Sequence, residues 1–183
     1  MKQDAELPVP AARRGDPDAW DVLFRRYQLP LYTYAVDLLR DEHLALDVVQ
    51  ETFLKAFRHL DSLRDDARFG SWLFGIAHQN IVSHWRRLGR SPFSDDPVPE
   101  SESSADPEPG FDLIRVEERE AVLAAVDALP SAQRVVILLH FLEDFPLAEI
   151  AAITGTFVGT VKSRLHYGKA ALRQRLSTIV PRP

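Results

Sequence analysis

Residues 147–165 read LAEIAAITGTFVGTVKSRL, and the fold predicted for the C-terminal part of the chain depends on these residues. Ile150 and Ala151 stand before a Thr-Gly-Thr turn, and Val161 and Leu165 stand after it. Apolar residues at helical spacing on both sides predict a short helix before the turn and a longer one after it. Two helices joined by a three-residue turn that contains glycine form the helix-turn-helix pattern, with a plain helical hairpin as the alternative.

The longer helix, predicted from Phe157 to about Leu176, is basic. Its basic side chains are Lys162, Arg164, His166, Lys169, Arg173 and Arg175. Its first turns present Val158, Gly159, Thr160, Lys162 and Ser163 away from the predicted apolar contact. The first residues of a recognition helix contact base edges, and later basic residues contact phosphates. The pattern therefore favours duplex DNA as the ligand over an ordinary solvated basic face.

The N-terminal part of the chain predicts four helical segments. Asp16 is a good N-cap and precedes a proline at the first helical position. Apolar residues then recur at helical spacing, and Pro30 is expected to break or kink the run. Asp41 caps a third segment, from Glu42 to about Leu60, and a fourth runs from about Ser71 to Leu88. The expected core stripe of the third segment comprises Ala45, Val49, Phe53, Phe57 and Leu60.

The chain as a whole predicts an all-α fold of two small helical domains joined by a flexible acidic linker. The second domain adds a helix up to about Ala128 and another that Ser131 can cap. The inward residues expected on that last helix are Val135, Leu138, Leu139 and Leu142. The predicted division is an N-terminal tail over residues 1–15, a first domain over 16–90, the linker over 91–112 and a second domain over 113–178.

The charge of the chain is concentrated in the linker. The 183 residues carry 22 basic and 27 acidic side chains, a net charge of -5, which by itself argues mildly against nucleic acid. Residues 91–112, however, hold 7 acidic and no basic side chains, so the rest of the chain is net positive. This stretch is rich in Pro, Ser, Asp and Glu and cannot bury enough apolar surface to fold.

Composition also excludes several classes of protein. The chain has no cysteine, so disulfide scaffolds, thiolate metal sites and thiol sensors are excluded. No apolar run approaches the roughly 20 residues that span a bilayer, and no signal peptide is recognisable, so we expect a cytoplasmic protein. The six histidines lack the HExxH spacing and no GxxxxGK[ST] loop occurs. We expect neither an enzyme nor a bound cofactor or metal.

Two further helix faces carry unusual side chains. In the fourth segment of the first domain, aromatic residues alternate with Arg, Gln79 and Asn80, which suits stacking on unpaired bases. Phe69 is expected in the core in any case, and Trp72 fits the core or the bases equally well. On the third segment Asp47, Gln50, Glu51 and Leu54 share one side. That side is either solvated or docks against a basic partner helix.

Four motifs in order resemble a known family. They read LALDVVQETFLKAFRHL at 44–60, SWLFGIAHQN with WRR at 71–87, LPSAQRVVILLHF at 129–141, and DFPLAEIAAITG with GTVKSRLH at 144–166. Together they resemble bacterial sigma factors of the extracytoplasmic-function group, the minimal form of the sigma-70 family. The resemblance implies that the first domain is sigma region 2 and the second sigma region 4. Such a chain directs core RNA polymerase to promoters.

The resemblance also implies roles for individual residues. Docking on the clamp helices of the largest polymerase subunit falls to Asp47, Val48, Gln50, Glu51 and Leu54. A second set is implied to unwind the promoter -10 element and to capture an extruded base. It comprises Arg64, Arg68, Phe69, Trp72, Gln79, Asn80, His84, Arg86 and Arg87. Reading of the -35 duplex falls to Val158, Gly159, Thr160, Lys162, Ser163, Arg164, His166 and Lys169. The linker would thread toward the RNA exit channel, where its acidic side chains mimic RNA.

The sequence departs from the family pattern at three positions. Phe157 stands where proline is frequent, Asn80 lies one position beyond the usual asparagine with Gln79 in its place, and Ser83 replaces a common aspartate. Because the chain has no cysteine-bearing extension, sensing is expected from a partner such as an anti-sigma factor. The alternatives are a decoy that titrates an anti-sigma factor without binding promoters, and a one-component helix-turn-helix repressor.

Overall fold

The computed structural model describes residues 7–89 and 116–179, and within them every regular element is helical and no strand occurs. The α-helices are α1 (Val9–Arg13), α2 (Pro17–Leu39), α3 (Glu42–His59), α4 (Phe69–Arg87), α5 (Val116–Asp127), α6 (Ser131–Phe141), α7 (Leu147–Thr154) and α8 (Val158–Ile179). Two 3-10 turns lie between α3 and α4. The predicted all-α fold is confirmed, and the linker expected over 91–112 lies outside the described residues.

Local capping explains where the long helices of the first body (α1–α4) begin. The Asp16 carboxylate accepts hydrogen bonds from the backbone N–H groups of Asp18, at 3.0 Å, and Ala19, at 3.4 Å. The Asp41 carboxylate accepts one from the N–H of Leu44 at 3.0 Å. Each carboxylate satisfies N–H groups that have no partner within the helix. Both predicted helix starts are therefore correct.

The predicted break at Pro30 is wrong, because α2 continues through it to Leu39. A proline inside a helix removes one hydrogen bond and costs about 3 kcal/mol or more. Leu23, Tyr27, Leu31 and Tyr34 lie on one face on both sides of the proline, and all four are buried. Burying such a side chain contributes about 1.5–3 kcal/mol each, so the continuous face outweighs the local cost.

The core face of α3 also differs from the predicted stripe. The buried residues of this helix are Ala45, Val48, Val49, Thr52 and Ala56. Phe53 is half-buried and Phe57 is 62% exposed. Their rings lie at the edge of the core, where Phe53 contacts Phe24 at 4.8 Å and Phe57 contacts Trp20 at 5.3 Å between ring centroids. Small residues on the core face permit α3 to pack closely on α2 and α4, and they leave no room there for aromatic rings.

The segment predicted as an N-terminal tail contains helix α1, which packs on α2. Val9 and Ala12 are buried, and the indole Nε1–H of Trp20 donates a hydrogen bond to the carbonyl of Ala12 at 3.0 Å. Residues 9–13 therefore belong to the first body. A five-residue helix has little stability of its own, so this apolar and hydrogen-bonded anchoring is what holds it.

In the second body (α5–α8), the predicted helix-turn-helix is α7, the turn at Gly155 and α8. Gly155 has φ 65°, a left-handed conformation that glycine adopts without strain, and it ends α7. The inward residues predicted on the two helices, Ile150, Ala151, Val161 and Leu165, are all buried. On α6 the prediction is wrong for Leu142, which follows the last helical residue and is 55% exposed.

The two bodies pack against each other, although the sequence predicts only a flexible linker between them. Helix α4 lies along α7, and α2 touches α6. The rings of Phe74 and Phe145 meet edge to face at 5.2 Å, and a Cβ built on Gly75 would lie 4.0 Å from the Cα of Ile153. We call this the interbody contact. It joins the cores of the two bodies into one continuous cluster of buried apolar residues.

Candidate functional site

The first turns of α8 are open to solvent, as a recognition helix requires. Val158, Gly159, Lys162 and His166 are exposed, and Thr160, Ser163 and Lys169 are half-buried. A Cβ on Gly159 would meet nothing within 4 Å, so this part of the helix can approach a groove closely. The Ser163 hydroxyl donates to the carbonyl of Gly159 at 3.1 Å and stays within the helix. Seven of the eight residues predicted for duplex DNA are thus at least partly accessible.

Arg164 is the exception, because it is only 9% exposed and faces the first body. Its charge is close enough to His78 of α4 to lower the pKa of that histidine. The placement of Arg164 on the outward face is therefore wrong for this arrangement of the two bodies. Residues three apart on a helix are neighbours, so Arg164 shares the face of the buried Val161.

The interbody contact encloses titratable side chains. The Tyr34 hydroxyl and His78 Nδ1 lie 2.9 Å apart. Burial, reinforced by the charge of Arg164, lowers the pKa of His78 to about 4, so the ring is neutral at pH 7. Burial raises the pKa of Tyr34, and it raises the pKa of Glu143 to about 7. At the rim of the contact, Arg40, which directly follows the last residue of α2, forms an ion pair with Asp127 of α5.

The residues predicted for the -10 element lie on α4 and on the segment before it. Trp72, Gln79 and Arg86 recur every seven residues and therefore line one face of the helix. Gln79, Arg86 and Arg87 are exposed, Trp72 and His84 are half-buried, and Arg64 and Arg68 are exposed in the segment before α4. Aromatic, amide and guanidinium groups are thus presented together, which suits a single-stranded nucleic acid.

Two residues of the same predicted set are buried. Phe69 is in the core, as expected, with its ring centroid 5.5 Å from that of Tyr27, so its predicted contact with the -10 element is wrong for the folded chain. Asn80 is 4% exposed, so its predicted contact with DNA is wrong for the folded chain. Its amide Nδ2 donates to the Thr52 hydroxyl at 3.1 Å, and its Oδ1 accepts a hydrogen bond from the ammonium of Lys55. These bonds tie α4 to α3.

The predicted docking face of α3 is mostly accessible. Asp47, Gln50 and Glu51 are exposed, and Leu54 is 53% exposed. Val48 is buried in the core of the first body, so its predicted place on this face is wrong. Leu46 and the 62%-exposed Phe57 extend the exposed face along the helix. The apolar spacing of α3 predicts Phe57 as core, whereas its position three residues after Leu54 already places it beside the docking face.

The segment between α3 and α4 is hydrogen-bonded to Arg13, the last residue of α1. The Arg13 guanidinium spans both carboxylate oxygens of Asp66, with Nη2–Oδ1 at 2.6 Å and Nη1–Oδ2 at 3.3 Å. The same Nη2 donates to the carbonyl of Leu63 at 3.1 Å.

The described residues contain no group of His, Asp and Glu side chains that could hold a metal ion, and no helix among them is long and apolar enough to cross a bilayer.

Comparisons with known proteins agree on one family. The family model for Sigma-70 region 2 matches residues 23–91, and that for Sigma-70, region 4 matches residues 119–172. The ECF RNA polymerase sigma-E factor of Salmonella typhimurium is 31% identical, with 97% of this chain and 96% of that protein covered.

Two solved structures share the fold. CnrH, in complex with the cytosolic domain of CnrY, has a TM-score of 0.67 and 25% identity, and the match covers 97% of this chain and 100% of that one. The sigma factor RpoE of Bartonella quintana, in complex with the anti-sigma factor NepR, has a TM-score of 0.62 and 28% identity, with 85% of this chain and 96% of that one covered.

Proposed function

Because the chain belongs to the sigma-70 family, in its extracytoplasmic-function group, we propose that it directs bacterial core RNA polymerase to promoters with -35 and -10 elements. It is a sigma factor, a specificity subunit without catalytic activity of its own. The proposed role places it in the cytoplasm, where RNA polymerase acts. The observation that carries the proposal is that α3, α4 and α8 each keep an outward face whose chemistry suits a different ligand. These ligands are a polymerase helix, an unpaired strand and a duplex.

The docking face of α3 combines carboxylates with exposed apolar side chains. Asp47 and Glu51 lie one turn apart and would pair with basic residues of the clamp helices, while Leu54 and Phe57 would supply buried apolar area. Interfaces of this kind gain most of their affinity from a few apolar or aromatic anchors surrounded by polar groups. Phe57 is the strongest anchor candidate on this face because it is the largest exposed apolar side chain there.

The outward face of α4 would act on the -10 element. Extruding a base from the duplex costs a few kcal/mol, and a protein pocket or stacking partner for that base offsets the cost. Trp72 can stack, Gln79 can hydrogen-bond base edges, and Arg86 and Arg87 can hold the phosphates of the strand. Recognition and melting then occur in the same step, without a separate source of energy.

The outward face of α8 would read the -35 duplex. Gly159 and Thr160 are small enough to reach the groove floor, while Lys162, His166 and Lys169 lie further along toward the phosphates. Arg164 can join this set only when the interbody contact opens, since it is buried there. We therefore expect the two bodies to separate before the chain engages a complete promoter.

A regulatory partner follows from the same argument. RpoE of Bartonella quintana is solved in complex with an anti-sigma factor, which supports a similar partner for this chain. An anti-sigma factor that binds the packed arrangement better than the open one would keep Arg164 covered, since a ligand shifts an equilibrium by its differential affinity. The alternative function is a decoy, which would occupy the anti-sigma factor and bind no promoter.

Run-off transcription distinguishes the two functions. Core polymerase with this chain and a pool of genomic promoters should give transcripts whose start sites share spaced -35 and -10 elements. The decoy would be established instead if this chain gave no transcripts and released another sigma factor from its anti-sigma factor.

The docking face has its own test. The double variant Asp47→Ala, Glu51→Ala should bind core polymerase more weakly by about tenfold, because each rim charge contributes about 0.2–1 kcal/mol or more when partly desolvated. The matched control is Asp18→Ala, Asp21→Ala, which removes two exposed carboxylates from α2. Coelution of the first variant with core at wild-type levels would reject the assignment. Circular dichroism should show both variants folded.

A further inference from the structure

The side chain of Arg13 holds the segment between α3 and α4 in place. Its guanidinium bonds both carboxylate oxygens of Asp66 and the carbonyl of Leu63, at 2.6, 3.3 and 3.1 Å. A forked guanidinium that meets a carboxylate with two parallel bonds fixes direction as well as distance. Two points of the segment, three residues apart, are therefore fixed to the same group.

The residues between and beside these two points are those predicted to meet the -10 element. Arg64 follows Leu63 directly, and Arg68 lies two residues after Asp66. Both arginine side chains are exposed. Asp65 adds a local brace, since its carboxylate accepts from the N–H of Ala67 at 3.1 Å and pairs with Arg68 at 3.4 Å. The Arg13 bonds are the long-range part of this arrangement.

The group that fixes the segment is itself anchored. Arg13 ends α1, whose Val9 is fully buried and whose Ala12 carbonyl accepts the indole N–H of Trp20 at 3.0 Å. The Arg13 bonds thus transmit the position of α2 to the segment rather than joining two loose ends. Residues 9–13 precede the part of the chain that matches the region 2 family model, which begins at residue 23.

We propose that Arg13 is a positioning residue for the -10 element, which sets the placement of Arg64 and Arg68 without touching DNA itself. This inference rests on the proposed function, because it needs a promoter to act on. Loss of a charge-assisted, two-pronged hydrogen bond of this kind should lower promoter opening by about tenfold. Binding to core polymerase and to the -35 duplex should not change, since the hydrogen bonds of Arg13 go to Asp66 and Leu63, in the segment between α3 and α4, and not to the faces of α3 and α8 proposed for those ligands.

The test compares Arg13→Ala with Arg14→Ala in reconstituted holoenzyme. Arg14 is the neighbouring arginine, exposed at the end of α1, so its replacement removes the same charge. Permanganate reactivity of thymines in the -10 element should fall about tenfold for Arg13→Ala and stay at the wild-type level for Arg14→Ala. Arg13→Lys keeps the charge but not the fork, so it should remain impaired. Recovery by lysine would show that general attraction to DNA suffices, and it would overturn the proposal.

A second measurement does not depend on transcription. Amide hydrogen exchange over residues 60–68 of the free chain should be faster in Arg13→Ala, and also in Asp66→Asn, which serves if Arg13→Ala does not fold. Unchanged exchange, or promoter opening equal to that of Arg14→Ala, would refute the positioning role. If the wild-type holoenzyme gives no transcripts while exchange still responds to Arg13, the proposed function fails and the structural role of Arg13 stands.

Discussion

Gly75 offers a direct way to open the interbody contact. A Cβ built at this position lies 4.0 Å from the Cα of Ile153 on α7, which is ordinary van der Waals contact. Alanine therefore fits without movement. Leucine adds three carbons beyond the Cβ, and the nearest atom to that Cβ belongs to the backbone of α7, which cannot turn aside as a flexible side chain can. We expect Gly75→Leu to separate the two bodies and Gly75→Ala to leave them packed.

The magnitude follows from two opposing effects. Inserting methylenes into a well-packed contact costs about 1–3 kcal/mol. Replacing glycine by leucine inside α4 stabilises that helix by about 0.8 kcal/mol, whether the bodies are packed or apart. The helix effect therefore cancels from the opening equilibrium, and the packing cost remains. A cost of about 2 kcal/mol shifts the ratio of packed to open chain about thirtyfold, while the first body alone becomes more stable.

Two assays on the free chain measure this shift. Small-angle X-ray scattering should give a larger radius of gyration for Gly75→Leu than for Gly75→Ala. Fluorescence anisotropy with a -35 duplex should show tighter binding by the leucine variant, because Arg164 becomes available. Identical scattering of the two variants would refute the packing argument. Open scattering without tighter binding would show that the interbody contact does not limit access to the -35 element.

Two further outcomes are expected. Folding lowers the pKa of His78 to about 4, so the unfolded chain binds a proton at this residue before the folded chain does as the pH falls below 6.5. Between pH 6.5 and 4 the free energy of unfolding of wild type should therefore fall by about 3 kcal/mol more than that of His78→Gln. Urea denaturation at each pH measures this difference. Glu143, whose raised pKa has the opposite effect in this range, is present in both proteins and cancels from the difference. Asn80→Ala should lower the free energy of unfolding by about 1–3 kcal/mol, because it breaks the link to Thr52, whereas Gln79→Ala should reduce permanganate reactivity at the -10 element with an unchanged melting temperature. The reverse result for this pair would contradict the burial of Asn80.

Features with a local cause could be predicted from the sequence. The helix starts at Asp16 and Asp41 and the turn at Gly155 each depend on a few neighbouring residues, and all three are found where predicted. The helix-turn-helix follows from the same local rules together with the burial of residues such as Val161. Propensity and capping act within a few residues of the chain, so a single sequence contains the necessary information.

Features that depend on a distant partner could not be predicted. Pro30 stays helical because of residues that α2 buries against other helices, and Phe57 is exposed because small residues fill the core face of α3. Arg164 is buried, and its charge acts on His78 of α4, which lies 86 positions earlier in the chain. A periodic pattern identifies which residues share a face, but it does not identify which of several faces meets another element.

The asparagine that lies at position 80 rather than at position 79 shows what the choice between a buried and an outward helix face means for function. One residue along an α-helix turns the side chain by about 100°, so a site on a helix is defined by position before it is defined by residue type. The asparagine of this chain is shifted onto the buried side, where it ties α4 to Thr52 and Lys55. Gln79 takes the outward position, and it offers the same amide donor and acceptor on a side chain one methylene longer. The chain therefore keeps an amide on the face predicted for the -10 element, and the altered reach of that amide is the reason to expect an altered base preference.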